Sequence, residues 1–298
     1  MQYPDYPSES SCYVSINDRQ MHYLEGGKDN AETIVMLHGN PSWSFYYRHL
    51  FTALCDKYHC VVPDHIGMGL SDKPGKSEYE FTLKQRVDDL DALLTSLEVD
   101  NKLTLIVHDW GGMIGMAYAT RYPEKIKRMV ISNTAGFHIS EGKQIPWQLK
   151  LSRTPLIGSL LIQGLNLFCR GGVVQCVTRK PMSNEVKNAY LAPYNSWGNR
   201  LSVLRFVEDI PLDKNHPSYE IVDQVDKQSG QFLNLPMLIC WGLNDFVFDR
   251  HYLDEWKKRM PNAECHEFDA GHYLLEDAGD EVIPIIQTFL EKNTGRQT

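Results

Sequence analysis

The stretch LTLIVHDWGGMIGMAYA, residues 103–119, decides the fold. Its apolar, β-branched first part predicts a buried strand that ends at His108, and helical periodicity begins at Trp110. Asp109 therefore stands on a tight strand-to-helix turn, where Gly111 and Gly112 allow the backbones to pack closely. Serine is the usual nucleophile on such a turn, and here a carboxylate takes its place. Taken alone, Asp109 could equally be a plain helix N-cap.

Strand and helix patterns alternate on both sides of this turn, which is typical of a mostly parallel sheet wrapped by helices. The predicted strands are CYVSI, QMHYLE, TIVMLH, HCVVP, LTLIVH, RMVISN, PMLICW and AECHEF. The predicted helices are the segment before Tyr58, residues 82–97, residues 110–121 and roughly residues 281–290. We predict an α/β core domain of eight strands, residues 1–136 and 232–298, interrupted by a helical cap domain, residues 137–231.

Composition limits the classes of partner. The chain has 298 residues, 42% of them hydrophobic, and its net charge of -8 comes without a Lys/Arg-rich run. These features argue against nucleic acid or an anionic membrane as the main partner and favour a small neutral substrate. The most apolar stretch, residues 155–168, is shorter than the roughly 20 residues that span a bilayer. We expect a buried helix there rather than a surface that lies on a membrane or partner, and no transmembrane segment.

The seven cysteines form no CxxC pair and have no zinc-like spacing with histidines, so we expect buried thiols and no metal site or disulfide framework. A cytoplasmic location follows, and the N-terminal residues MQYPDYPSES do not resemble a signal sequence.

Candidate partners for Asp109 follow other predicted strands. The loop HGNP places Asn40 after an early strand, where an oxyanion loop belongs, while Asp245 and His272 follow late strands. The order nucleophile, acid, histidine is the one that this kind of fold uses, and strand-end loops gather at one sheet edge. Asp249 is the second candidate for the acid, although we expect it to begin the next helix.

Four further polar residues near these strand ends are expected to have supporting roles. They are His38, His108, Asp64 and Asn133. A second histidine has no role in a triad, so both histidines are interpreted as structural, and Asp64 as a residue that shapes its loop. Asn133 ends a strand where the acid sometimes lies, but its neutral side chain returns that role to Asp245.

A carboxylate nucleophile indicates displacement at a saturated carbon. Free aspartate has a pKa of about 3.9 and is ionised at neutral pH without a base. Attack by Asp109 would give a covalent alkyl ester, which His272, oriented by Asp245, would hydrolyse through water. Backbone N–H groups of Asn40 and Trp110 would stabilise the oxyanion, and their side-chain N–H groups would hold the departing anion.

The motifs HGNPSWSFYYR, PDHIGMGLSDKP, VHDWGGMIG, WGLNDFVFD and GHYLLED together resemble the haloalkane dehalogenases of the α/β-hydrolase superfamily. The resemblance is to the subgroup that uses an Asn and a Trp as halide donors and a late-strand Asp as acid. It implies Asp109 as nucleophile, His272 as base, Asp245 as acid, and Asn40 with Trp110 as the halide site. The expected activity is hydrolysis of a haloalkane to alcohol, halide ion and a proton, without a cofactor, and kinship implies a homo-oligomer or larger assembly.

Several alternatives stay open. The cap segments IPWQLKLSR, APYNSWGNR and RFVEDIPL also resemble the β-lactone decarboxylases of long-chain olefin biosynthesis, whose chemistry needs the same five groups. Tyr190 and Tyr194 keep an epoxide hydrolase possible, since those enzymes use two cap tyrosines. A haloacetate dehalogenase would require arginines beside the nucleophile to hold the substrate carboxylate, and no arginine adjoins Asp109. A non-catalytic receptor would not need all five groups.

The walls of a substrate pocket are expected from large apolar side chains in the cap and late loops, although each also fits an ordinary core. These residues are Trp147, Phe168, Tyr194, Trp197, Phe206, Phe248 and Leu275.

Overall fold

Eight strands form a single sheet in the computed structural model, which describes residues 3–99, 102–138 and 146–294. In chain order they are β1 Ser11–Ile16, β2 Arg19–Gly26, β3 Thr33–Leu37, β4 His59–Pro63, β5 Leu103–His108, β6 Ile126–Ser132, β7 Met237–Gly242 and β8 Glu264–Phe268. The sheet order is β1-β2-β4-β3-β5-β6-β7-β8. The pairs β1·β2 and β2·β4 are antiparallel, and the others are parallel. The predicted α/β fold class and all eight predicted strands are confirmed.

Helices cover both faces of the sheet and fill the segment between β6 and β7. The α-helices are α1 Arg48–Leu54, α2 Leu83–Ser96, α3 Trp110–Arg121, α4 Trp147–Ser152, α5 Ile157–Ser159, α6 Leu167–Gln175, α7 Asn184–Leu191, α8 Leu201–Glu208, α9 Tyr219–Gln228, α10 Arg250–Arg259 and α11 Leu274–Lys292. Short 3-10 turns are Ser8–Ser10, Ser44–Tyr47, Pro123–Lys125, Ala192–Tyr194, Gly198–Arg200 and Ser229–Phe232, and Leu160–Gly164 is π-helical.

The core lies along the central strands. Every residue of β3, β4, β5 and β7 is buried, as expected for parallel strands covered by helices on both faces. Edge strand β1 alternates in burial instead, and its Tyr13 is exposed. Capping side chains fix helix starts: Thr82 accepts a hydrogen bond from the backbone N–H of Gln85, and Asp249 from that of His251. Asp249 thus begins α10, as predicted.

Two sequence expectations about helices need correction. The last helix begins at Leu274 rather than near residue 281, with a non-helical Ala278 that bends it. The stretch 155–168 is not a buried helix, because it is divided among α5, the π-helical turn and the start of α6. Leu156, Leu160 and Leu165 in this stretch are exposed to solvent. The described residues between β6 and β7 contain no strand, and the exact domain boundaries stay a prediction.

Within the described ranges, no single helix combines the length and the apolar character needed to cross a bilayer. Ile157–Gly164 and Leu167–Gln175 meet those criteria only as a pair, bent by 65°.

Candidate active site

Loops at the carboxyl ends of the parallel strands bring the predicted groups together. Asn40 follows β3, Asp109 follows β5, Asn133 follows β6, Asp245 follows β7 and His272 follows β8. All five side chains are buried. This edge of an open parallel sheet is where strand-end loops converge, so chain topology alone places groups that are distant in sequence side by side.

Asp109 occupies a constrained turn. Its φ is 51° and its ψ -127°, a positive-φ conformation that non-glycine residues seldom adopt. Close packing holds the turn, since a Cβ on Gly111 would lie 1.9 Å from the carbonyl oxygen of Leu37. The Asp109 backbone N–H also donates to the carbonyl of Asn133 at 3.1 Å. Its side chain does not cap α3, and it faces Asn40 and His272 instead.

The two carboxylate oxygens of Asp109 have different surroundings. Oδ1 accepts a 2.6 Å hydrogen bond from the backbone N–H of Asn40, whereas Oδ2 lies 3.7 Å from His272 Nε2. Burial raises the pKa of Asp109, although the charge of His272 and the backbone N–H groups of Trp110 and Asn40 oppose this effect. Because Oδ1 is held by a donor, Oδ2 is the oxygen available to attack a substrate.

His272 is oriented by a buried carboxylate. Its Nδ1 donates to Asp245 Oδ2 at 2.7 Å. Asp245 Oδ1 in turn accepts from the backbone N–H groups of Val247 and Phe248, at 2.7 and 3.0 Å. Burial lowers the pKa of His272, but the charge and hydrogen bond of Asp245, together with the charge of Asp109, outweigh burial and raise it. Asp245 and Asp109 therefore stabilise the imidazolium form of His272 relative to a free histidine.

Asn133 has a role that the sequence reasoning missed. Its side-chain N–H group donates to Asp245 Oδ2 and to the carbonyl of Gly242, each at 3.0 Å, and its Oδ1 accepts from the N–H of Gly242 at 2.8 Å. Asn133 therefore positions the acid and ties β6 to β7. Its location directly after β6 was the available signal, since a neutral amide at that point can donate to a carboxylate on the next strand.

The remaining histidines and Asp64 support the loops. His108 Nε2 donates to the carbonyl of His272 at 2.8 Å, and burial, helped by the charge of His272, keeps the pKa of His108 well below its usual range. His38 Nε2 accepts from the backbone N–H of His65 at 3.3 Å. Asp64 accepts from the backbone N–H groups of Ser44 and Leu70 and from His22 Nδ1. Burial raises the pKa of Asp64, but the charge and hydrogen bond of His22, the charge of His38 and the N–H of Leu70 outweigh burial and hold the pKa at about 2.

The predicted anion donors both line the cavity in front of Asp109. One N–H of the Asn40 side chain donates to the carbonyl of Val203 in α8 at 3.1 Å, which leaves the second N–H for a ligand. Among the described residues, none accepts a hydrogen bond from the indole N–H of Trp110. The Trp110 ring packs against Phe206 with 5.3 Å between ring centroids.

A cavity of about 660 Å³ extends from this pair into the cap and is mostly apolar. Of the predicted wall residues, Trp147, Phe168 and Phe248 line it. Lining residues that the sequence reasoning missed include Met113, Ile162, Leu167, Val174, Val207, Ile210, Phe246 and Tyr252. The pair Gly171 and Gly172 in α6 leaves room in the cavity, because a Cβ on either would meet no atom within 3.4 Å.

The predicted wall is corrected at four positions. Tyr194, Trp197, Phe206 and Leu275 do not line the cavity. Phe206 lies behind Trp110, and the Tyr194 hydroxyl donates to the carbonyl of Ser42 at 3.0 Å. Trp197 lies on the cap exterior with 53% of its surface exposed. Leu275 is buried in the first turn of α11, where its N–H donates to the hydroxyl of Tyr46.

The two-tyrosine arrangement of an epoxide hydrolase is not formed. The Tyr190 hydroxyl donates to Glu276 Oε1 at 2.6 Å, and Tyr194 donates to Ser42. Neither tyrosine lines the cavity, so neither hydroxyl is placed to donate to an epoxide oxygen near Asp109.

Comparison with known proteins agrees with this architecture. Residues 32–161 and 183–279 match the family described as alpha/beta hydrolase fold. The structure of a haloalkane dehalogenase from Bradyrhizobium elkani superimposes with a TM-score of 0.84 at 22% identity, covering 97% of this chain and 99% of that one, which shows a shared fold.

Sequence relatives separate the two leading functional hypotheses. A cis-3-alkyl-4-alkyloxetan-2-one decarboxylase from Shewanella oneidensis is 53% identical, covering 93% of this chain and 87% of the relative. A decarboxylase of the same name from Xanthomonas campestris is 44% identical, covering 92% and 93%. A haloalkane dehalogenase from Mycolicibacterium paratuberculosis is 28% identical, covering 93% and 91%.

The main sequence prediction, a haloalkane dehalogenase, is therefore wrong. The five groups are common to both chemistries, and all three relatives match over nearly the full chain, but the decarboxylases are 53% and 44% identical and the dehalogenase only 28%. What the site and the comparisons establish is that this chain is an enzyme of the alpha/beta hydrolase fold family.

Proposed function

We propose that the protein decarboxylates cis-3,4-dialkyl oxetan-2-ones, which are four-membered β-lactones, to alkenes and carbon dioxide. The observation that carries the proposal is the 53% identity, over 93% of the chain, with a decarboxylase of such lactones. A nucleophilic carboxylate that faces a large apolar cavity supports it, because the substrate is neutral and carries two alkyl chains.

In the first step, Asp109 Oδ2 attacks C4 of the lactone, the ring carbon that bears the ring oxygen. The Oδ2–C4 bond forms as the C4–O1 bond breaks, and O1 leaves as one oxygen of a carboxylate that stays attached through C3. No proton moves. In this proposal the side-chain N–H groups of Asn40 and Trp110, which line the cavity, stabilise the carboxylate, and the backbone N–H of Asn40 holds Oδ1 as it becomes the ester carbonyl oxygen.

In the second step, the carboxylate leaves as carbon dioxide. The electron pair of the broken C3–carboxylate bond forms the C3=C4 double bond, and the C4–Oδ2 bond breaks to return ionised Asp109. The sum is lactone to alkene plus carbon dioxide, without water, a redox partner or a net proton. Inversion at C4 followed by anti elimination converts a cis lactone to a cis alkene.

In this mechanism the charge of His272 matters more than its basicity. The Nε2 atom lies 3.7 Å from the Asp109 oxygen that regains its negative charge in the second step. An imidazolium held by Asp245 stabilises that oxygen as the C4–Oδ2 bond breaks. Because the imidazolium cannot take a proton from water, it also protects the ester from hydrolysis.

The test is turnover of a synthetic cis-3,4-dialkyl oxetan-2-one, with the alkene measured by gas chromatography and mass spectrometry. The expected product is the cis alkene with no ¹⁸O retained on the enzyme after reaction in H₂¹⁸O. Asp109→Asn, whose amide cannot perform the displacement, is the control and should show no turnover. A β-hydroxy acid as the product would contradict the proposal, because it is the result of hydrolysis.

A further inference from the structure

The outer face of the cap carries an unusual number of exposed apolar side chains. We call the outer face of α4, α5, the π-helical turn and α6 the cap surface. Leu156 is 85% exposed, Trp147 68% and Val174 62%. Other apolar side chains on this surface with a large exposed fraction are Leu151, Ile157, Leu160, Leu165 and Leu167. Contiguous apolar exposure of this kind marks an interaction surface rather than ordinary variation.

The same segment is strongly basic. Residues 146–183 contain five basic residues and no Asp or Glu, within a chain whose net charge is -8. The five are Lys150, Arg153, Arg170, Arg179 and Lys180. Arg153 donates to the Val207 carbonyl and Arg179 pairs with Glu281. Lys150, Arg170 and Lys180 are exposed and form no ion pair with any described residue, so their charges are available to a partner.

The cavity opens within this surface. Trp147, Leu151, Leu167 and Val174 are exposed to solvent and also line the cavity that leads to Asp109. A molecule that enters the site by this route passes between apolar side chains from the exterior to the nucleophile. The entrance and the apolar patch are therefore one continuous surface.

We propose that the cap surface docks on an anionic lipid bilayer, with the cavity mouth against the lipid. Leucine and tryptophan side chains that insert among headgroups, beside lysine and arginine that attract anionic lipid, are the usual composition of an interfacial helical segment. The expectation against an anionic membrane came from the net charge, which averages over the chain and conceals the positive cap surface. A second copy is disfavoured as the occupant, because face-to-face pairing would bring two sets of unpaired cations together.

Docking would give a substrate with long alkyl chains a path that avoids water, from the bilayer into the cavity, and the alkene a path back. This part of the inference rests on the proposed function, whereas binding to lipid does not. The two can therefore fail separately: Asp109→Asn should bind vesicles as the parent does while it has no turnover.

The experiment is flotation of the full-length protein with vesicles of phosphatidylcholine alone or with one quarter phosphatidylglycerol. We expect the parent to float with the anionic vesicles and bind the neutral ones at least tenfold less. The double variant Leu156→Ser with Leu160→Ser and the variant Lys150→Glu should each lower partitioning on anionic vesicles about tenfold. None of these three side chains lines the cavity, so lactone turnover in detergent should not change.

Matched controls come from other exposed positions. Leu233→Ser removes an exposed leucine outside the cap surface, and Lys76→Glu makes the same charge change as Lys150→Glu. Both should float like the parent. Absence of flotation, or equal loss in variants and controls, would overturn the proposal. So would size-exclusion chromatography that shows an oligomer dissociated by the double leucine variant, because the surface would then be an interface between copies.

Discussion

Replacing His272 with asparagine tests the contribution of its positive charge, because the variant loses the charge and can keep the hydrogen bond to Asp245. An asparagine amide nitrogen can occupy the position of Nδ1 and keep a donor for Asp245 Oδ2, which His272 contacts at 2.7 Å. The substitution removes Nε2 and the imidazolium charge, 3.7 Å from Asp109 Oδ2. The other donors to Asp245, from Val247, Phe248 and Asn133, are unaffected, so its buried carboxylate stays paired.

The expected loss of rate follows from the 3.7 Å distance between His272 Nε2 and Asp109 Oδ2. At an effective dielectric constant of about 20, two unit charges 3.7 Å apart interact by about 4 kcal/mol. If about half of the charge has returned to Asp109 in the transition state of the second step, the loss is about 2 kcal/mol. That corresponds to a rate about thirtyfold slower. Because the proposed reaction consumes no water, turnover should continue at this lower rate.

The assay combines rapid quenching with mass spectrometry of the peptide that contains Asp109. The expected result is many equivalents of alkene per enzyme, formed slowly, with some alkyl ester during the steady state. Thermal unfolding of the variant should show that the fold is intact. A burst of one equivalent followed by a permanently esterified Asp109 would refute the argument, because His272 would then be an essential base. An unchanged rate would show that its charge does not contribute.

Three further predictions concern the groups around Asp109. Trp110→Phe keeps the packing on Phe206 and removes the indole N–H, so ring opening in a single turnover should slow by about 10²- to 10³-fold; an unaltered rate would leave Trp110 as a packing residue. Burial raises the pKa of Asp109, whose ionised form attacks, so kcat/KM should fall as the pH is lowered through a midpoint above 3.8. The pKa of His272 is raised above 6.5, so kcat/KM should also fall as the pH is increased through that pKa and the imidazolium loses its proton. An increase in kcat/KM in that alkaline range would indicate that His272 acts as a base. Asn133→Leu removes one of the two side-chain donors to Asp245 Oδ2 and both side-chain hydrogen bonds to the Gly242 backbone, so chemical denaturation should show a free energy of unfolding lower by about 1–3 kcal/mol; an unchanged value would show that this network does not stabilise the fold.

The sequence was sufficient to predict the sheet and the groups on its carboxyl edge. Each buried strand is a short apolar run between turn residues, so the strands of the sheet can be predicted from those runs alone. Asp109 directly follows β5, and Asp245 and His272 lie on the loops after β7 and β8, so topology places them together without knowledge of any side-chain contact. This is why the elbow and the order of residues identified the site.

The cap was much less predictable. Whether Phe206 lines the cavity or lies behind Trp110 depends on how short helices pack, and an apolar residue looks the same in sequence in both positions. The exposure of Leu156 was equally unpredictable from the sequence, because residues 155–168 are apolar enough to form a core helix. The structure divides them into short helical segments instead, and Leu156 faces solvent. The hydrogen bond from Asn133 to Asp245 was not predicted, because the neutral side chain of Asn133 was used only to exclude it as the acid.

The distinction between hydrolysis and decarboxylation lies in what the leaving group does after the first step. A halide departs from the substrate, so the ester on Asp109 can be released only by attack of water. The carboxylate from a β-lactone stays attached to C3, next to the ester carbon, and its own loss as carbon dioxide supplies the electron pair that expels Asp109. The same nucleophile, anion donors and histidine therefore serve both outcomes, and substrate structure decides whether water takes part. This is why the five site residues are compatible with both reactions, and why the proposed reaction class rests on the identity with the relatives.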